Sequence, residues 1–88
     1  MPKLIFLPGV GADARLFTLQ QKAFPDLLVP DWLPPLPAES LPDYGSRMAG
    51  AMAPLFEDNV PVVLGGVSFG GMVAYEAARH VHPAVVVQ

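Results

Sequence analysis

Short apolar runs alternate with segments of helical periodicity along this chain, and the alternation narrows sharply the folds open to it. Lys3-Leu4-Ile5-Phe6-Leu7, closed by Pro8-Gly9, is apolar at successive positions, as expected of a strand buried on both faces of a parallel sheet. From Asp13 to Phe24, Leu16, Leu19 and Ala23 recur at helical spacing beside Phe17 and Phe24; Asp13 can cap the start and Pro25 ends the helix. Leu27-Leu28-Val29 reads as a second strand running into a stiff proline-rich loop, Pro30 to Pro37. Ser40-Leu41-Pro42-Asp43 has the form of a capped helix start, and Leu41, Tyr44, Met48, Met52 and Leu55 mark one face of the helix that follows. Pro54 ends or kinks that helix near Ala53. Val60 to Val67 is a third strand. The segment after Ser68 is a helix, with Met72, Tyr75 or Glu76, and Arg79 at regular turns and His82-Pro83 as its stop; Ala84 to Val87 begins a fourth strand.

Strands that alternate with helices are joined by right-handed crossovers into parallel sheets. The predicted class is therefore α/β, a three-layer α/β/α arrangement around a parallel sheet. The proline-rich loop is read as a connection within one domain, since neither side of it could form a core alone. At 88 residues, without a cysteine or an evident metal site, such a unit is expected to be marginal by itself.

Composition removes several function classes. Five Lys and Arg, spread singly in a chain of net charge -3, offer no basic stripe for a phosphate backbone, so nucleic acid is not an expected partner. The absence of cysteine excludes a disulfide framework and thiolate metal sites and agrees with a reducing, cytoplasmic setting. No apolar run approaches the ~18 residues needed to cross a bilayer, so no membrane partner is expected either. Lys3 with Leu4 to Leu7 and Ala12-Asp13-Ala14 imitates a secretory leader, but Pro8-Gly9 breaks the apolar stretch too early, and a buried first strand accounts for the same residues.

Chemistry concentrates in Gly66-Val67-Ser68-Phe69-Gly70, which follows a strand and precedes a helix. A serine hydroxyl is a poor nucleophile unless it stands clear of other side chains, where a base can reach it and backbone amides can receive an oxyanion. A sharp strand-to-helix turn provides this, and it requires small residues two positions before and after the serine. Gly66 and Gly70 meet that demand. The plain alternative is a glycine-rich turn whose serine only caps the helix.

The run Leu64-Gly65-Gly66-Val67-Ser68-Phe69-Gly70-Gly71-Met72-Val73-Ala74-Tyr75-Glu76-Ala77-Ala78-Arg79 resembles the nucleophile elbow and following helix of α/β-hydrolases, and Ser-Phe-Gly-Gly followed by Ala-Tyr-Glu is similar to their thioesterase members. The resemblance implies a partial α/β-hydrolase fold in which residues 1–88 are a single incomplete domain, the N-terminal part of the whole. It implies Ser68 as the catalytic nucleophile acting on a small-molecule ester, thioester or related acyl carbonyl without cofactor or metal. It also implies an oxyanion hole from the backbone amides of Val10 and Phe69, with Pro8 standing where the family commonly has histidine. The implied strand order sets the Lys3 strand between those of Leu27 and Val60, with the Ala84 strand outermost. The acid and histidine of the triad would come from strand ends beyond Gln88, so the 88 residues alone are expected to be inactive.

His80 and His82 do not replace that histidine. Phe69 to His80 is roughly 17 Å of helix at ~1.5 Å per residue, which puts both at the far end from Ser68. Asp31 and Trp32 follow the second strand at the sheet edge that carries Ser68, where open α/β folds bind ligands, and are candidates for a substrate pocket. A turn aspartate and a tryptophan over the core edge are the simpler account. A rival reading takes Gly9-Val10-Gly11-Ala12-Asp13-Ala14 as a dinucleotide fingerprint, with Gly9, Gly11 and Ala14 at the pyrophosphate and Asp31 on the ribose. It leaves the glycines around Ser68 unexplained. A non-catalytic α/β binding module is a third reading.

Overall fold

The computed structural model describes residues 2–9 and 12–88. Its centre is a three-stranded parallel sheet in the order β1 (Lys3–Leu7), β2 (Val62–Gly66), β3 (Val85–Val87). Lys3 pairs with Val62 and Leu7 with Gly66; on the other side of β2, Val63 pairs with Val85 and Gly65 with Val87. Leu28 lies beyond β1, held by one parallel bridge to Ile5 in which Phe6 N donates to Leu28 O and Leu28 N to Leu4 O, both at 2.9 Å. The expected order holds, but the expected strand over Leu27–Val29 shrinks to that bridge, because Pro30 has no amide to continue the ladder. The third strand likewise starts after Pro61 rather than at Val60.

Helix α2 (Leu41–Met52) begins as the sequence indicates, with Ser40 Oγ accepting from the Asp43 amide at 3.2 Å and proline in the first turn. Tyr44, Met48 and Met52 are buried along its inner face, and Pro54 converts the chain to a 3-10 turn over Ala53–Phe56. Helix α3 (Phe69–Val81) turns Gly70, Gly71, Val73, Ala74 and Ala77 inward and leaves Met72 and Tyr75 exposed. It stops where His82 takes a left-handed conformation (φ 54°), its amide donating to Ala78 O ahead of Pro83.

The register puts Ile5, Leu7, Val62 and Leu64 on one face of the sheet, and α2 and α3 cover them to form the core. Small residues let these helices approach closely: a Cβ added at Gly45 of α2 would lie 2.5 Å from that of Glu76 in α3. The opposite face carries Leu4, Phe6, Val63, Val85 and Val87, and its cover is thin. Phe17 packs edge-on against Phe6 with ring centroids 5.7 Å apart.

The helix expected from Asp13 to Phe24 is split into a 3-10 turn (Ala14–Phe17) and a short α1 (Thr18–Ala23), with Asp13 accepting from the Arg15 amide as its cap. A 3-10 turn advances farther around the axis per residue than an α-turn. The phase of the apolar stripe is thereby lost. Leu16 and Leu19 stay 48% and 74% exposed while Phe17 is buried. Among the described residues no helix is long and apolar enough to cross a membrane.

Candidate active site

β2 ends in two glycines, and the chain reverses into α3 at Ser68, whose φ of 56° and ψ of -119° lie in a region that side chains rarely occupy. What enforces the turn is backbone-to-backbone contact. A Cβ on Gly66 would collide with the carbonyl group of Gly70 and the amide of Gly71. A Cβ on Gly70 would collide with the carbonyls of Leu7 and Pro8 at the end of β1. No residue but glycine fits either place, so the head of α3 is wedged against the ends of β1 and β2. The Val67 amide, donating to Leu7 O at 3.1 Å, ties the two strand ends together.

Ser68 is exposed at the apex of this turn. A serine at a helix N-cap ordinarily accepts from the amide two or three residues on. Here the side chain makes no such bond, and the first-turn amides are met by main-chain carbonyls instead: Gly70 N donates to Val67 O at 2.9 Å, and Gly71 N and Met72 N to Ser68 O at 3.0 and 3.3 Å. The hydroxyl is therefore left without a capping role. Among the described residues no carbonyl accepts from the Phe69 amide, which sits at the positive end of α3.

The loop after β1 runs alongside. A Cβ on Gly9 would stand 3.8 Å from Val67 O, and Gly9 O accepts from Ala12 N at 3.1 Å and from Trp32 Nε1 at 3.3 Å. Val10, expected as the second oxyanion donor, and Gly11 of the dinucleotide reading lie outside the described residues.

Trp32 is also one of three packed aromatic rings, 5.5 Å from Phe69 and 5.9 Å from Tyr44 between centroids, with Tyr44 and Phe69 6.2 Å apart. These rings border a cleft of about 490 Å³, completed by Leu33, Pro35, Leu41, Ser40 and Glu39. Its outer wall is the proline-rich loop, stapled to α2. Arg47 donates to both Glu39 carboxylate oxygens at 2.7 and 3.0 Å and to Pro34 O at 2.8 Å, while Tyr44 Oη donates to Leu33 O at 2.7 Å. The Arg47 hydrogen bond, aided by the Leu36 amide, holds the Glu39 carboxyl below its usual range, and burial pushes the Tyr44 phenol up.

The two pocket candidates thus part company: Trp32 lines the cleft, whereas Asp31 is exposed and does not. His80 and His82 lie at the opposite end of α3 from Ser68, across thirteen helical residues or roughly 20 Å. The dinucleotide reading needs a helix opening directly from the first glycine loop. The chain instead forms a 3-10 turn from Ala14, and α1 begins only at Thr18, so Gly9, Ala14 and Asp31 do not assemble that site.

Two contacts of the site were invisible in sequence. The bond from Trp32 to Gly9 spans 23 positions and has no local signature. Neither has the Arg47 staple. Gly45 did carry a signal: a glycine inside a helix costs ~1 kcal/mol against alanine and asks for a packing reason.

Over residues 4–88 the sequence matches the alpha/beta hydrolase family. Eight chains among solved structures match it as well. One is YbtT, a type II thioesterase from the yersiniabactin NRPS/PKS biosynthetic pathway, with a TM-score of 0.70 and 21% identity over 97% of this chain. These residues span 40% of the YbtT chain, and at that identity the likeness is one of fold. No protein with a curated description matches.

Proposed function

The chain belongs to the alpha/beta hydrolase family, and from that premise we propose that it carries the nucleophilic half of a serine hydrolase acting on an ester, thioester or related acyl carbonyl. The observation that supports this reading is the backbone of Ser68, held at positive φ by glycine contacts on both sides with its hydroxyl unused as a cap. In this reading Ser68 Oγ attacks the acyl carbonyl as its proton passes to a base. The oxyanion is received by the Phe69 amide and by that of Val10. Collapse of the tetrahedral adduct expels the alcohol or thiol, which takes up the proton, and water then hydrolyses the acyl-enzyme to free the acid. The base and its acid partner are assigned to residues beyond Gln88, so residues 1–88 by themselves are inactive in this proposal.

The test is labelling of the full-length protein by a fluorophosphonate. Ser68 is expected to be the modified residue, and labelling is lost in Ser68→Ala and Ser68→Gly. Ser68→Gly is also expected to raise stability by about 1 kcal/mol, since glycine adopts the positive φ without strain. A folded wild-type protein that takes no label would sink the proposal.

A further inference from the structure

We infer that the cleft beside the Ser68 turn receives an uncharged, apolar acyl chain, with Trp32 as its side wall and Phe69 as the step from chain to reacting carbonyl. The inference rests on the hydrolase reading of Ser68 and names what that site would accept. The walls are Trp32, Leu33, Pro35, Leu41, Tyr44 and Phe69, all apolar or aromatic. Their polar handles are already engaged with the protein, Trp32 Nε1 with Gly9 O and Tyr44 Oη with Leu33 O. The one charged group at the lining, Glu39, is neutralised by Arg47 and also accepts from the Leu36 amide; Ser40 Oγ accepts from the Asp43 amide.

A carboxylate or ammonium entering this space would lose water and meet no charged partner, with the Ser40 hydroxyl the one side-chain donor not already engaged among the described lining residues. A hydrocarbon chain would lose nothing. The volume, about 490 Å³, lies within the ~300–1,000 Å³ usual for small-molecule sites. The cleft's outer wall is fixed, because hydrogen bonds from Arg47 and Tyr44 of α2 tie the proline-rich loop at Pro34 and Leu33. Phe69, which follows Ser68 in the chain, is part of the cleft's lining.

Trp32 is the single tryptophan in these 88 residues and lines the cleft, and Trp32→Phe isolates its share of the emission in the full-length chain. Titration of the full-length chain with decanamide is expected to give a saturable change in Trp32 emission, in wild type and in Ser68→Ala alike. The half-amide of sebacic acid, which carries a carboxylate at the buried end, is expected to bind about tenfold more weakly or worse, and Pro35→Glu at the exposed rim to weaken decanamide by a similar factor. No saturable change in a protein with native far-UV circular dichroism, equal binding of the neutral and charged chains, or indifference to Pro35→Glu would overturn the inference. Binding needs no turnover. A response at Trp32 without fluorophosphonate labelling would therefore leave the cleft standing and remove the hydrolase reading alone.

Discussion

On one face of the sheet Ile5, Leu7, Val62 and Leu64 are buried beneath α2 and α3; on the other, Phe17 covers Phe6 while Val85 and Val87 stay 50% and 44% exposed. Both faces come from the same alternating strands, so strand sequence does not separate them. The helices do. α2 and α3 present glycine and alanine where backbones must meet and methionine or valine where space must be filled, whereas the 3-10 turn and α1 bring only one buried aromatic. The Ser68 turn and the aromatic cleft both sit on the closely packed side. If Ser68 is the nucleophile proposed above, its placement needs support that cannot shift, and the thin face has none to offer.

Substitutions can break this contrast, the largest effect coming first. Gly66→Val drives a side chain into the Gly70 backbone, which no rotamer relieves, and is expected to abolish the cooperative thermal transition. Survival of a native-like melt would mean that the packed side tolerates movement at the turn. Met48→Ala empties a fully buried position and should cost about 2–5 kcal/mol in denaturant unfolding, against about 0.5 kcal/mol or less for Leu19→Ala on the exposed α1. Equal losses would erase the distinction between the faces. The smallest effect concerns the staple. Arg47 lowers the Glu39 carboxyl from its usual 4.5, so the ionised pair contributes its full stability above that value and loses it as pH falls through the lowered one. The gap in melting temperature between wild type and Glu39→Gln is therefore expected near neutrality and should close in acid, below the usual carboxylate range.

The parts of this molecule that were legible in sequence are those governed by local rules. Gly66 and Gly70 announce the turn because only a missing Cβ admits the helix there, and Ser40 with Pro42 announces α2 because capping is settled within four residues. Periodicity located all three helical segments and the strands around them. It misjudged which way α1 faces, since a single 3-10 turn rotates everything after it, and it lengthened the strand at Leu28 past what the adjacent proline permits. In the candidate site, the turn at Ser68 was legible in sequence, whereas the place of Trp32 in the cleft was not. Whether Trp32 or its neighbour Asp31 would face the cleft depends on how the proline-rich loop closes over α2, and that closure is made by Arg47 and Tyr44 from a distant segment.

The contact at Gly45 has a mechanical side. With Gly45 pressed against Glu76, α2 has no play relative to α3, and the pair works as one stiff lever. Tyr44, a wall of the cleft, rides on one arm and Ser68 on the head of the other. The aromatic wall and the Ser68 turn are therefore held at one fixed spacing, and neither can shift without the other.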